Sequence, residues 1–243
     1  AGSSGVTCVE EKCLGDIHGV YGRRSGDRCR RGSLRSRHRV DSRRNTTLAY
    51  NMPMNKDPRY WHSRGYLPHF DKDGYTQFIT FRLADSVPQA VLENWRDDLE
   101  RDEITDADFR RRVEYYLDHN YGDGSLRIPA IANLVQETLL KWDGERYRLI
   151  SWVIMPNHGH ILLSPFDGIS LSDIMHSIKS FTAHIANNIL DRKGQFWAKE
   201  YFDRYIRDQR HFASTIKYIE QNPVNARLCR TPDEWPWGSA YFK

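Results

Sequence analysis

The chain has 243 residues, which suits one domain of ordinary size with a tail, and its formal net charge is +4. No apolar run approaches the ~18 residues of a membrane-spanning helix, and the first residues lack the apolar stretch of a secretory signal. These features argue against a membrane-spanning or secreted protein. They predict a cytoplasmic location, which also fits four cysteines without a CxxC pair.

The charge is divided unevenly along the chain. Residues 1–51 hold eleven Lys/Arg and five Asp/Glu, a net charge of +6, whereas the remaining residues hold twenty-five and twenty-seven, a net charge of −2. The first 51 residues are rich in Gly, Ser and Arg and lack apolar periodicity, which predicts disorder. They are either a basic arm that adds non-specific affinity for DNA or sequence that is not native, with the natural start at Met52 or Met54. The abrupt change of composition favours the second interpretation, and residues 52–243 are predicted to form one domain with an aromatic C-terminal tail.

Hydrophobic periodicity predicts alternating strands and helices after residue 60. The predicted elements are a strand over 74–83, a charged helical region from Pro88 to about His119 with a break near 103–106, a helix over 129–142, strands on both sides of Pro156–Asn157, a helix from Ser170 to about Leu190, an extended segment over 194–206, and a helix that begins at Asp208 and ends before Pro223. In the helix that follows Ser170, the residues predicted to face the core are Ile174, Ile178, Phe181, Ile185 and Ile189.

This order is close to βαββαβ. It predicts a ferredoxin-like α+β sandwich, in which an antiparallel sheet carries its helices on one face. The tight turn at Pro156–Asn157 makes the two central strands antiparallel. The opposite face of the sheet is then expected to be available for a partner.

Two histidines begin the strand that follows this turn. His158 and His160 stand at positions i and i+2, so a strand presents both imidazoles on the same side of the sheet. Two such imidazoles form half of a metal site. The simpler interpretation of an isolated HxH is a pair of polar residues that hydrogen-bond to water at a strand end.

The last helix carries a second pair. Tyr218 and Asn222 are four residues apart and share one helix face. If that face lies over the histidines, both imidazoles and the amide oxygen of Asn222 can hold a divalent cation beside the Tyr218 phenol. Such a cation polarises a phosphodiester, and the phenol then becomes a nucleophile that forms a phosphotyrosine link to one DNA end. The simpler alternatives are a tyrosine packed at the helix–sheet boundary and an asparagine that ends a helix before proline.

Four stretches carry a resemblance to a known family: MPNHGHILL from 155, FWAKEYFDRYIRDQRHF from 196, YIEQNPVNARL from 218 and WPWGSA from 235. Over roughly residues 60–243 the chain resembles the REP-associated tyrosine transposases, which are HUH single-tyrosine transposases of bacterial insertion sequences. The resemblance implies that His158 and His160 are metal ligands, that Asn222 is the third ligand and that Tyr218 is the nucleophile. It also implies Mg²⁺ or Mn²⁺ as cofactor and the nicking of single-stranded DNA at hairpins of palindromic repeats, by a monomer or homodimer, through a 5′-phosphotyrosine intermediate.

Two features depart from the family pattern. The residue between the histidines is usually bulky and apolar, whereas this chain has Gly159, and a glycine weakens a strand. The segment 88–144 is also longer than the compact minimum of the fold.

Candidate DNA contacts are four cations and three aromatic stacking surfaces: Lys179, Arg204, Arg207, Arg210, Trp197, Trp235 and Trp237. The simpler interpretation makes the tryptophans packing residues and the arginines a solvated helix end.

The sequence therefore leaves two main functions open. The first is a metal-dependent enzyme that nicks and transfers single-stranded DNA at hairpins. The alternative is a hairpin-binding protein that has lost catalysis. The departure from the family pattern at Gly159 favours this alternative. An unrelated metal-dependent hydrolase is less well supported, because no additional Asp, Glu or His ligands flank the HxH pair.

Overall fold

Six strands and five α-helices follow one another along the residues that the computed structural model describes, which are 61–63, 68–70 and 74–243. The strands are β1 Trp61–Ser63, β2 Pro68–Phe70, β3 Gln77–Arg82, β4 Tyr147–Ile154, β5 His158–Pro165 and β6 Phe202–Tyr205. The helices are α1 Gln89–Glu100, α2 Asp106–Asp118, α3 Pro129–Lys141, α4 Leu171–Ile189 and α5 Gln209–Asn225, with 3₁₀ helices at Ser125–Arg127, Pro232–Glu234 and Ser239–Phe242. None of the described helices is long and apolar enough to cross a bilayer. The predicted domain boundary at residue 51 lies outside the described residues.

The central sheet has the strand order β4-β5-β3-β6, and every neighbouring pair is antiparallel. Helices α1 to α3 lie between β3 and β4 in the chain, and α4 lies between β5 and β6. This is the predicted βαββαβ arrangement, so the ferredoxin-like α+β class is confirmed. The last strand is shorter than predicted, because only 202–205 pair with β3, while the preceding segment joins the sheet through the bridge between Leu83 and Trp197.

The main core lies between this sheet and helices α3 and α4. Ile79 and Phe81 of β3 and Ile161 and Leu163 of β5 point to this side, and all four side chains are fully buried. Burial of one such side chain stabilises the fold by about 1.5–3 kcal/mol. The helices contribute apolar residues to the same cluster, among them Ile131, Val135, Leu139, Ile174, Met175 and Ile178.

Helix α5 covers the opposite face of the sheet. Phe78 of β3 and Leu162 of β5 point to that face and pack with Ile216 and Ile219 of α5. The prediction that the helices lie on one face and leave the other available is therefore wrong in this respect. A crossover helix between parallel strands is held to one side by handedness, but α5 follows the last strand and is not a crossover.

The buried face of α4 also differs from its prediction. Ile174 and Ile178 are buried as expected, whereas Phe181 and Ile189 are 51% and 45% exposed. The buried stripe of the later turns runs through the smaller Thr182 instead. Apolar spacing thus identified the helix but placed the centre of its buried face incorrectly.

Helix α5 continues past the predicted end at Pro223. Pro223 lacks the N–H that would bond to the carbonyl of Ile219, and a proline inside a helix costs about 3 kcal/mol. Its ring is buried, and the last turn is closed by Ala226 N–H, which donates to the Asn222 carbonyl at 3.0 Å. As a result Asn222 is fully helical and lies on the same face as Tyr218.

Helices α1 and α2 lie beside β6 at the edge of the sheet. The predicted break between them is present: Thr105 begins α2 with a capping box, in which its hydroxyl accepts from the backbone of Asp108 and the Asp108 carboxylate accepts from the backbone of Thr105. The buried ring of Phe109 lies 6.3 Å from the ring of Phe202 in β6. This contact holds α2 along the strand that carries Arg204.

His69 joins the short β1–β2 hairpin to β6. Its imidazole is 2% exposed and contacts two carboxylates, those of Asp203 and, at 3.3 Å, Glu200. Burial alone would lower the pKa of His69, but the hydrogen bonds and charges of Asp203 and Glu200 raise it to about 9. His69 is therefore protonated at neutral pH and forms a buried ion pair.

We expect the stabilisation from His69 to be lost at alkaline pH. A histidine whose pKa rises on folding from 6.5 to about 9 contributes fully below pH 6.5, and its contribution disappears as the pH rises through about 9. The difference in Tm between the wild type and His69→Gln should thus be largest near pH ~6 and shrink by pH ~9.5. His184→Gln, at an exposed position on α4, is the control. A difference that is constant with pH would contradict the ion pair.

Candidate active site

Two imidazoles meet at the start of β5. His158 and His160 are 0% and 1% exposed, and their Nε2 atoms are 3.1 Å apart. The His160 ring stacks on Phe78 at 5.4 Å, which places the pair on the sheet face that α5 covers. The turn at Pro156–Asn157 starts the strand at His158, so the pairing of the rings follows directly from the local sequence.

Polar neighbours orient both rings. Asn157 Nδ2 donates to the carbonyl of Tyr121 at 2.9 Å, which turns its Oδ1 towards His158 Nδ1 at 2.7 Å. The Nδ1 of His158 is therefore the protonated nitrogen, and its Nε2 carries a lone pair. Across the ladder, Thr80 Oγ1 lies 2.8 Å from Nδ1 of His160 and can fix that ring in the same way.

Both histidines are neutral at physiological pH. Burial lowers the pKa of His158 well below its usual range, and the neighbouring His160 lowers it further. Burial lowers the pKa of His160 to about 3. Neutral imidazole is the form that binds metal ions. Because the two Nε2 atoms are within hydrogen-bond distance of each other, one of them carries a proton that a metal ion would replace.

Tyr218 of α5 lies directly against this pair. Its ring contacts His160 edge-on at 5.2 Å and Phe78 at 5.9 Å. The side chain is 37% exposed, so a ligand can reach the tyrosine from solvent while its ring rests on the buried imidazole. The structure thus brings together the predicted nucleophile and the predicted metal ligands.

The phenol is surrounded by groups that disfavour its ionisation. Burial raises the pKa of Tyr218 above its usual value, the carboxylates of Glu114 and Asp118 raise it further, and a hydrogen bond from the Asn222 side chain lowers it. Glu114 and Asp118 belong to α2, and sequence reasoning did not identify either as a neighbour of the tyrosine. Tyr218 is therefore a neutral phenol until a positive charge compensates these two carboxylates.

Asn222 completes the predicted set. It is 4% exposed and one helical turn beyond Tyr218, close enough for its side chain to lower the pKa of the phenol. The contacts from His160 to Tyr218 and from Tyr218 to Asn222 place the amide on the histidine side of α5. In the part of the chain that the structure describes, no three His, Cys, Asp or Glu residues cluster as a metal site, so the third protein ligand would be an amide.

The predicted arginines lie around the entrance to α5. Arg204 pairs with Phe78 in the β3–β6 ladder, so its side chain lies on the histidine face. Burial and the Asp118 carboxylate raise the pKa of Glu114, and the nearby Arg204 offsets part of this rise. Arg207 and Arg210 are exposed on either side of Asp208, which caps α5 by accepting from His211 N–H at 2.7 Å. Of these three cations, Arg204 is the one that shares a neighbour, Glu114, with Tyr218.

The predicted stacking surfaces are occupied by the protein itself. Trp197 is 4% exposed, and its Nε1 donates to Thr182 at 2.9 Å, so the prediction that it stacks on a base does not fit the structure. Trp235 donates to the carbonyl of Ile154 at 3.0 Å and Trp237 donates to Asn133 at 2.8 Å. Both are half-buried and fix the C-terminal tail on β4 and α3, the packing role that was the simpler interpretation.

Lys179 lies apart from the histidines, on α4. Its Nζ donates to the carbonyl of Lys199 at 2.8 Å and lies 5.7 Å from the centre of the Tyr201 ring. Burial lowers the pKa of Lys179 to about 8. The structure therefore separates this predicted DNA contact from the three arginines.

Gly159 points to the opposite side of the sheet, into the main core. It pairs with Phe81 in the β3–β5 ladder, and a Cβ at this position would lie 2.6 Å from Phe81 Cζ. The phenyl ring thus occupies the volume that a side chain at position 159 would need. Phe81 thus fills the space beside the glycine, and the two flanking histidines remain buried and in contact with each other.

Comparison with known proteins finds one matching family model and several similar solved structures. The family model described as "Transposase IS200 like" matches residues 129–222. A solved REP-associated tyrosine transposase bound to a REP hairpin is similar at 16% identity over 73% of this chain and 83% of its own, with a TM-score of 0.48. A putative transposase from Deinococcus radiodurans R1 is similar at 12% identity over 66% and 96%, with a TM-score of 0.28. Among curated proteins, none matches the chain. Residues 129–222, which contain both histidines, Tyr218 and Asn222, are therefore the part of the chain that is similar to the IS200-like transposase family.

Proposed function

We propose that the protein is a metal-dependent enzyme that nicks single-stranded DNA at the foot of REP-type hairpins and transfers the strand through a phosphotyrosine on Tyr218. One observation carries this proposal. A tyrosine that solvent can reach lies 5.2 Å, ring to ring, from a neutral, buried histidine whose Nε2 is 3.1 Å from that of a second histidine. A tyrosine that served only for packing would need neither a buried pair of neutral imidazoles beside it nor access from solvent.

The donor set fits a divalent cation. Two cis ligands that are each about 2.1 Å from one octahedral ion are ~3 Å apart, which is close to the separation of the two Nε2 atoms. His158 and His160 would supply these nitrogens and Asn222 an amide oxygen. Imidazole suits Mn²⁺ better than Mg²⁺, which prefers oxygen, and water or a DNA phosphate would complete either shell. When bound, the cation supplies positive charge to the attacked phosphodiester and to the phenolate.

The residues of this chain then divide the reaction between them. The Tyr218 oxygen attacks the phosphorus and forms a phosphodiester to the 5′ side, and the bond from phosphorus to the 3′ oxygen breaks. The phenol proton leaves, and the departing oxygen is protonated as a free 3′-hydroxyl. Asn222 positions the phenol through its hydrogen bond, and Arg204 provides a cation for the DNA backbone on the same face.

A direct assay tests this proposal. The full chain is incubated with labelled single-stranded hairpins that carry unpaired flanks, with Mn²⁺ or with EDTA, and covalent protein–DNA adducts are separated under denaturing conditions. We expect an adduct and a free 3′-hydroxyl fragment only with the metal ion. Tight hairpin binding without an adduct at any Mn²⁺ concentration would instead support the binding protein without catalysis. Gly159 no longer favours that alternative, because Phe81 fills the space beside it.

Thr80 should control metal affinity through His160. Its hydroxyl is 2.8 Å from His160 Nδ1, and loss of such a partner typically weakens metal binding by ~10–100-fold. We expect this loss of Mn²⁺ affinity, measured by calorimetry, for Thr80→Val, which keeps the shape but removes the hydroxyl. Thr80→Ser keeps the hydroxyl and should bind Mn²⁺ like the wild type. Equal affinities for the valine and serine variants would show that Thr80 does not orient the ligand.

A further inference from the structure

A cleft of about 550 Å³ lies between α4 and the segment 194–201. Met175, Lys179 and Ala183 line it from the helix, and Phe196, Trp197 and Tyr201 line it from the segment. Its volume is within the range of small-ligand pockets. None of the reaction steps derived for Tyr218 uses this cleft or its lysine.

The cleft combines an apolar wall with a cation that lacks sufficient compensation. Lys179 Nζ donates to the Lys199 carbonyl at 2.8 Å, but the nearby Glu200 carboxylate is itself bonded to His69. Burial lowers the pKa of Lys179 to about 8; the Glu200 carboxylate opposes this effect in part, and Arg82 adds to it. An anion in the cleft would replace the hydration that this ammonium has lost.

The backbone connects the cleft to the active site by a short path. Ala198 N–H donates to the carbonyl of Arg82 at 2.8 Å, and Arg82 pairs with His158 in the β3–β5 ladder. The wall of the cleft is therefore two strand spacings, about 10 Å, from the strand that begins with the first metal-site histidine. The cleft lies on the α4 side of the sheet and the imidazoles on the α5 side, so a strand of DNA that occupies both has to cross the edge of the sheet beside this segment.

We propose that this cleft binds one unpaired nucleotide from the single-stranded flank of the hairpin, with its base against Phe196 and Tyr201, which line the cleft beside the internally packed Trp197, and its phosphate on the Lys179 ammonium. The proposal rests on the DNA-processing function proposed above. An apolar wall beside a cation matches a nucleotide, which has an apolar face and an anionic backbone. Asp173 and Glu200 also line the cleft, so a polyanion without an apolar part would be disfavoured there.

Binding measurements in EDTA test the cleft independently of catalysis. Fluorescence anisotropy compares a panel of hairpins with a 5′ flank, a 3′ flank or no flank, using the wild type, Lys179→Met and Ser180→Glu. Ser180 is exposed at the cleft, so its replacement adds a repulsive charge without disturbing the core. The matched controls are Asn188→Glu, exposed elsewhere on α4, and Lys141→Met, exposed on α3.

We expect both cleft variants to bind one flanked hairpin about tenfold more weakly than the wild type, and to bind the blunt hairpin within about twofold of it. Both controls should behave like the wild type. A flank that carries 5-iododeoxyuridine should photo-crosslink to peptides of 171–189 or 194–201. Equal weakening for flanked and blunt hairpins, no effect of either variant, or crosslinks elsewhere would each overturn the proposal.

Competition experiments identify the chemical nature of the group that the cleft binds. Comparison with the adduct assay distinguishes failure of the cleft proposal from failure of the catalytic proposal. Competition by dTMP, but not by inorganic phosphate, at concentrations that leave the blunt hairpin bound would support a nucleotide pocket. Competition by both to the same extent would overturn the role of the base. If the cleft variants lose flank affinity although the wild type forms no adduct, the cleft is supported and the catalytic proposal fails. If the wild type forms the adduct but the cleft variants keep their affinity for the flank, the catalytic proposal is supported and the cleft proposal fails.

Discussion

Tyr218→Phe is expected to eliminate the covalent protein–DNA adduct, with a loss of at least ~10³-fold, while the fold, hairpin binding and Mn²⁺ binding are retained. The substitution removes one oxygen from a side chain that is 37% exposed, and it leaves the ring contacts with His160 and Phe78 in place. Unlike a general loss of stability, it should therefore leave Tm nearly unchanged. Adduct yield, Tm and Mn²⁺ titration on the same preparation separate these possibilities.

Variants of the two histidines should lose cleavage for a different reason than Tyr218→Phe does. His158→Ala and His160→Ala each remove one of the two neutral nitrogens, so they should stop cleavage through loss of Mn²⁺ affinity. Tyr205→Phe is the control for removal of a phenol, because Tyr205 packs in a separate aromatic cluster with Phe70 and Tyr75. An adduct that persists in Tyr218→Phe and disappears in Tyr205→Phe would assign the nucleophile to Tyr205.

In the proposed reaction, the need for a cation follows from the surroundings of the phenol. Burial and the two α2 carboxylates, Glu114 and Asp118, raise the pKa of Tyr218, and only the Asn222 hydrogen bond opposes them. A phenol in this field is a poor nucleophile at neutral pH. Substitution of Glu114 and Asp118 by their amides is expected to lower this barrier, and to make adduct formation in the proposed reaction less dependent on the metal ion.

The sequence predicted the parts of the site that depend on local periodicity. His158 and His160 share a side because a strand repeats every two residues, and Tyr218 and Asn222 share a face because a helix turn spans about four. Asn157 and Thr80 were missed for different reasons. Asn157 looked like a turn residue, and Thr80 becomes a neighbour of His160 only through the register between β3 and β5.

Tertiary packing decided the features that the sequence did not predict. The apolar residues of α5 indicated a buried face, but nothing in their spacing specified which side of the sheet the helix covers. Trp197 has both an apolar ring and a polar N–H, so the same residue suits base stacking and burial against Thr182. The neighbours of Tyr218 on α2 arise from the long segment between β3 and β4, whose position the pattern does not determine.

Gly159→Ala is expected to destabilise the protein by about 1–3 kcal/mol, although the change adds a single methyl group. That methyl would lie 2.6 Å from Phe81 Cζ and 2.8 Å from Cε1, closer than carbon atoms normally approach. Phe81 has no room to retreat, because its ring is fully buried and packs against Trp197 at 5.0 Å. Gly238→Ala is the matched control, since a Cβ there would contact its neighbours at an ordinary 3.5 Å. Equal unfolding free energies for the two alanine variants would contradict the clash.

A double-mutant cycle tests whether Phe81 is the compensating residue. Phe81→Leu removes the tip of the ring, so Gly159→Ala should cost at least ~1 kcal/mol less in that background than in the wild type. Because residue 159 lies between the two histidines, strain at this position should also displace their imidazoles. We therefore expect Mn²⁺ affinity to fall in Gly159→Ala and to recover partly in the double variant, together with adduct formation. Strictly additive unfolding energies would mean that the glycine and the phenylalanine are independent. Mn²⁺ affinity that stays constant while stability changes would mean that packing behind the strand does not position the metal ligands.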